Sequence, residues 1–132
     1  MTRVQTIGGP HAHISAEELE NFITTSLAGV DLDGKKVCLI VPDDTRSCPL
    51  PQVLSNVYKN VVNRAGELSC VIALGTHEYM EPEEIAGWVA GDPKADLAQV
   101  YPGMKIVNHE FKDENNLVNV GYISPQRISE LS

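Results

Sequence analysis

Two short polar clusters hold the residues able to do chemistry: Asp43-Asp44-Thr45-Arg46 and Gly75-Thr76-His77-Glu78. Arg46 is a planar fork that can take a carboxylate through two parallel hydrogen bonds. His77 is the side-chain type that exchanges a proton near neutral pH. Thr45 adds a hydroxyl, and its loop runs toward a helix start, where free amides favour anions. Asp43 and Asp44 can accept from substrate hydroxyls or orient the arginine, and Gly75 lets backbone approach a ligand closely. The chemistry on offer is capture of a small carboxylate and movement of a proton on it. Plainer readings stand beside it. One of Asp43 and Asp44 can cap the following helix, Arg46 can pair with those carboxylates at the surface, and a lone histidine is more often structural than catalytic.

The elements around the clusters decide whether they meet. Val37–Val41 is an unbroken apolar run closed by Pro42, and Cys70–Leu74 is another closed by Gly75. Both read as strands buried on two faces, the signature of a parallel sheet. Between them, Leu50, Leu54, Val57, Tyr58, Val61 and Val62 define one helix face, with Gly66 where a left-handed cap belongs. An earlier helix opens on the capping box Ser15-Ala16-Glu17-Glu18 and ends at Gly29. A later one opens at Glu81-Pro82-Glu83-Glu84, buries Ile85, Trp88 and Val89, and breaks at Gly91-Asp92-Pro93. Residues 104–107 form a third strand, residues 117–120 a shorter fourth, and Asp113–Asn116 a turn. Strand and helix alternation implies an α/β domain: a mainly parallel sheet of right-handed βαβ units, with helices on both faces in a Rossmann-like three-layer stack. Ligands bind beyond the carboxyl ends of such strands. Both polar clusters leave those ends, on neighbouring strands, so they fall within side-chain reach of each other.

The remaining candidates are weaker. His11-Ala12-His13 has metal-binding spacing without a third ligand, and an irregular N-terminal arm is the other reading. His109-Glu110 follows the third strand and either lines the same edge or is a solvated strand end. Trp88 and Tyr58 sit at packing positions. Ten basic against 18 acidic residues give a formal charge of −8, which repels nucleic acid and anionic membranes. The three cysteines, Cys38, Cys48 and Cys70, are odd in number and lack C-x-x-C spacing, which argues against a disulfide framework or a zinc site. Cys38 and Cys70 read as small core residues. No apolar stretch is long enough to span a bilayer, Met1–Val4 opens no signal peptide, and the expected compartment is the cytoplasm.

Taken together, the two clusters resemble the N-terminal domain of the lactate racemase family of 2-hydroxyacid racemases and epimerases. The family's D-x-T-R motif with a following proline is Asp43-Asp44-Thr45-Arg46-Ser47-Cys48-Pro49 here, and its A-x-G-x-H motif is Ala73-Leu74-Gly75-Thr76-His77. Asn108-His109-Glu110 and Asn116–Gly121 look similar as well. The resemblance covers most of the chain from about Val37 onward. It implies a nickel pincer nucleotide that takes a hydride from C2 of the substrate and returns it to the other face, with two histidines alternating as base and acid. His77 would be one of these and Arg46 would hold the substrate carboxylate. Asp43 and Thr45 would contact the cofactor or position Arg46, and Asp44, Gly75, Glu78 and His109 would line the site. The second histidine, the lysine that tethers the cofactor and the nickel-binding histidine fall downstream in the family, so no metal ligand is expected in this chain. Residues 1–132 are thus expected to be one α/β domain, the N-terminal part of a longer two-domain enzyme, inactive alone and prone to self-association through the face meant for the missing domain. Where family members carry His, Pro and Arg, this sequence has Asp44, Ser47 and Glu78. Glu78 beside His77 suggests a 2-hydroxy acid other than lactate, larger or polyhydroxylated. The alternative is a stand-alone module that binds a small carboxylate or phosphate without catalysis.

Overall fold

The computed structural model describes residues 5–131; Met1–Val4 of the arm and Ser132 lie outside them. Helix α1 spans Ala16–Ala28 and begins with the expected reciprocal box, in which Ser15 accepts from the Glu18 amide and Glu18 accepts from the Ser15 amide. Then follow β1 (Lys36–Pro42), α2 (Leu50–Val61), β2 (Glu67–Ala73), α3 (Pro82–Ala90), the single turn α4 (Leu97–Val100) and β3 (Met104–Asn108). A short 3₁₀ turn at Glu114–Asn116 and α5 (Pro125–Leu131) come last. Glu81 and Glu84 cap α3 reciprocally, and Gly91 ends it at φ 78°, a conformation that glycine adopts without penalty.

The sheet is parallel in the order β1-β2-β3. Val41 lies beside Ile72 and Ile72 beside Asn108, so the strands end level at the carboxyl edge. Leu68, Cys70 and Ile72 face the helices and are buried together with Leu54 and Val61 of α2, Val89 of α3 and Met104 of β3. Each of these side chains other than Cys70 contributes roughly 1.5–3 kcal/mol.

The α/β class and the parallel sheet are as expected, but the second layer of helices is not there among the described residues. The strand order explains this. Two crossovers of one hand that step in the same direction leave both helices on the same face, and covering the other face requires a reversal of strand order. The outward residues of β1 are accordingly exposed, Ile40 at 75%. Cys38 is exposed too, so only Cys70 is the core residue expected of both. Residues 117–120 form no strand: Val118 is 82% and Val120 96% exposed. Their apolar pattern resembles a strand, but no described edge pairs with it. Gly66 has no positive φ. Its reason is space, since a Cβ there would lie 2.5 Å from the Gly34 carbonyl oxygen, where the turns entering β1 and β2 touch.

Candidate active site

Strand β1 delivers its last residue under restraint. The Trp88 indole N–H of α3 donates to the Pro42 carbonyl at 2.8 Å. The next residue, Asp43, is buried at 3% exposure. The chain turns there, with the Arg46 amide donating to the Asp43 carbonyl at 3.2 Å. One Asp43 carboxylate oxygen accepts from the Thr45 hydroxyl at 2.6 Å, and the other pairs with His77 Nδ1. These two bonds, that from Thr45 first, hold the Asp43 carboxyl below the usual carboxylate range despite its burial.

His77 reaches this carboxylate from the neighbouring loop. After β2 the chain makes a tight turn in which the His77 amide donates to the Leu74 carbonyl at 3.0 Å. Gly75 adopts φ 62° inside it, which only glycine does without strain. An ionised carboxylate can only accept, so the proton between the two groups belongs to Nδ1. The neutral ring then presents its Nε2 lone pair, and it is half exposed at 49%. The pair is built like a general base whose tautomer and direction are set from behind.

Arg46 completes the arrangement. It lines, with Pro42, Asp43, Leu74, Gly75 and His77, a pocket of about 300 Å³. Among the described residues no acceptor takes its guanidinium, whereas both oxygens of Asp43 already have partners. The plainer reading of Arg46, a surface pair with Asp43 or Asp44, therefore does not hold. Neither aspartate caps α2, whose N-cap is Pro49 without a side-chain bond.

Asp43, Arg46, Gly75 and His77 thus meet, with Thr45 behind them. Asp44 is exposed and outside the pocket. Glu78 points away to Lys112 Nζ at 2.6 Å, which lowers its pKa and meets its charge. The case for a polyhydroxylated substrate, which rested on a free carboxylate next to His77, loses its support. His109 lines a separate apolar hollow on the open sheet face with Cys38, Ile40 and Val71. His13 lies against α1 in a hollow remote from these loops. No group of three metal-ligating side chains occurs among the described residues. Sequence reasoning missed two supports of the site. Trp88 sits at a packing position in the helix pattern, and the signal for its second part is that a part-buried indole N–H needs an acceptor. Asn108 stands in the sequence only as part of a motif, and the signal for its part is that a side-chain amide at a strand end offers both a donor and an acceptor.

Open parallel α/β sheets hold their ligands in the crevice beyond the carboxyl ends of the strands, and here that edge carries Arg46 and the Asp43–His77 pair. The family model for the lactate racemase N-terminal domain matches residues 7–128, and the chain belongs to that family. It is also similar in fold to a protein from Thermotoga maritima known from its crystal structure. The TM-score is 0.70 and the identity 24%, over 89% of this chain and 26% of that one. The chain spans about a quarter of that protein's length. No curated protein matches.

Proposed function

We propose that this chain supplies the carboxylate-binding and proton-transfer half of a 2-hydroxyacid racemase or epimerase, an isomerase whose remaining groups lie outside it. The observation that carries this is the His77 ring locked by buried Asp43 beside an unpaired Arg46. A 2-hydroxy acid offers a carboxylate for the Arg46 fork and, two atoms away, a hydroxyl for His77 Nε2. His77 would take the hydroxyl proton as C2 gives its hydride to an acceptor held outside this chain, and would return the proton as that hydride comes back to C2. Asp43 would stabilise the imidazolium in between. The pocket volume suits a small acid of this kind.

By the resemblance to lactate racemases, the hydride would be the task of a nickel pincer nucleotide. The described residues make no metal cradle, and Asp43 and Thr45 are engaged with each other and with His77, so they do not fit the cofactor-binding part the resemblance gave them. Such a cofactor would be held by residues other than these. Three unpaired thiols agree with a reducing, cytoplasmic setting.

The test is interconversion of the two enantiomers of a 2-hydroxy acid by the natural gene product with His77→Ala. Loss of at least about 100-fold in rate is expected for a removed acid/base group. Racemisation near the wild-type rate would end the reading. Saturable binding of the acid without any interconversion by the wild type would instead favour a binding module.

A further inference from the structure

We propose that Asn108 is a positioning residue for His77, holding the loop that carries it from the far side. The proposal rests on the reading of His77 as the proton-transfer group. Residues 74–81, between β2 and α3, have no ladder of their own, and His77 sits in their middle. On one side Asp43 holds the ring. On the other, Asn108 closes a two-bond ring with the Met80 backbone: the Met80 amide donates to Oδ1 at 3.4 Å, and Nδ2 donates to the Met80 carbonyl at 2.9 Å.

The geometry suits a fixed clamp. Asn108 is the last residue of β3 and lies beside Ile72, a fully buried residue of the central strand. Its amide therefore starts from rigid backbone, and one side chain satisfies both a donor and an acceptor of a loop that has no other strand to pair with. Met80 is itself held, with its side chain in the core. The same seam is closed again outside: Tyr79 meets Phe111 edge to face at 5.9 Å, and Lys112 bonds Glu78. The loop after β2 is thus fastened to the end of β3 at consecutive residues directly after His77. Freed from this seam, the loop keeps its inner turn but can swing about Gly75, and the Asp43–His77 bond then competes with water.

The experiment reads the imidazole ¹⁵N shifts of His77, which report its tautomer and bonding. In Asn108→Leu, a near-isostere without hydrogen bonds, the Nδ1 and Nε2 shifts are expected to move away from their wild-type values. In Val61→Ala, a core change away from the loops, they should stay at wild-type values while stability falls. Unchanged His77 shifts in folded Asn108→Leu would overturn the proposal. Should that variant not fold, the wild type decides. The Asn108 side-chain amide protons should exchange at least about tenfold more slowly than those of exposed Asn119, and equal rates would overturn the clamp. Racemisation by the gene product separates the two readings. Moved shifts with an unaltered rate leave the clamp standing and remove the catalytic part from His77. Unmoved shifts remove the clamp whatever the rate.

Discussion

Arg64 and Arg46 sit at opposite ends of the same sheet and are used in opposite ways. At the amino end, Arg64 donates to the Leu27 carbonyl at 3.0 Å, to the Val30 carbonyl and to Asp33 at 3.1 Å, fastening the end of α1 and the turn into β1 to the end of α2. At the carboxyl end, Arg46 has a pocket in front of it and, among the described residues, no acceptor. The glycines repeat the contrast. Gly66 is there because backbone passes too close for a Cβ, and Gly75 because a tight turn must aim His77. One end of the sheet is closed by structure and the other opens on a pocket.

The sharpest way to break this comparison is to truncate both arginines. Arg46→Ala should weaken binding of a small 2-hydroxy acid at least about tenfold, since hydrogen bonds to a charged group are worth about 1.5–3 kcal/mol each. It should move stability by no more than about 0.5 kcal/mol. Arg64→Ala should do the reverse: urea unfolding should show a loss of about 2 kcal/mol from its three lost hydrogen bonds, to the Leu27 and Val30 carbonyls and to Asp33, with the pocket's affinity kept. Equal stability losses for both would erase the distinction.

The glycines come next. Gly66→Ala forces the Gly34 carbonyl to move and should cost about 1–3 kcal/mol in denaturant. Gly75→Ala meets no neighbour, only the positive φ, and should cost about 1 kcal/mol. It should disturb His77 more than it disturbs the fold.

A smaller effect concerns pH. Asp43 titrates lower folded than unfolded, so its contribution is present above the unfolded carboxyl pKa and is lost as pH falls through the depressed folded value. Stability measured from pH 5 downward should fall less steeply in Asp43→Asn than in the wild type. Identical slopes would mean that Thr45 and His77 do not hold the carboxylate. The smallest effect is on thiol chemistry. Burial pushes the Cys70 thiol up to about 11, while Cys38 stands on the open face. A thiol reagent on the native protein should modify Cys38 and leave Cys70 untouched until unfolding.

Much of this was legible in the residues. Apolar runs ended by Pro42 and Gly75 located the strands, the capping box at Ser15 and the early Pro82 with its acidic neighbours located helix starts, and the parallel order brought Arg46 and His77 to one edge. Burial was not legible. Cys38 and Ile40 belong to an apolar run as strong as that of β2, and nothing local tells that β1 has helices on one face only; strand order decides it. Nor could spacing tell that Glu78 turns to Lys112 or that His109 ends on the open face. Those outcomes depend on the path after β3. The Asp43–His77 bond joins residues 34 positions apart. It follows from which acidic residue points inward at the strand end, and both Asp43 and Asp44 were eligible.

The most direct measurement is a titration of the wild-type protein with L-lactate, followed by the side-chain ¹⁵N signals of Arg46 and His77. Saturable shifts of both groups with one dissociation constant, lost in Arg46→Ala while the remaining spectrum stays folded, are predicted. Saturation that moves other residues and leaves Arg46 and His77 unchanged would contradict a carboxylate site at this edge.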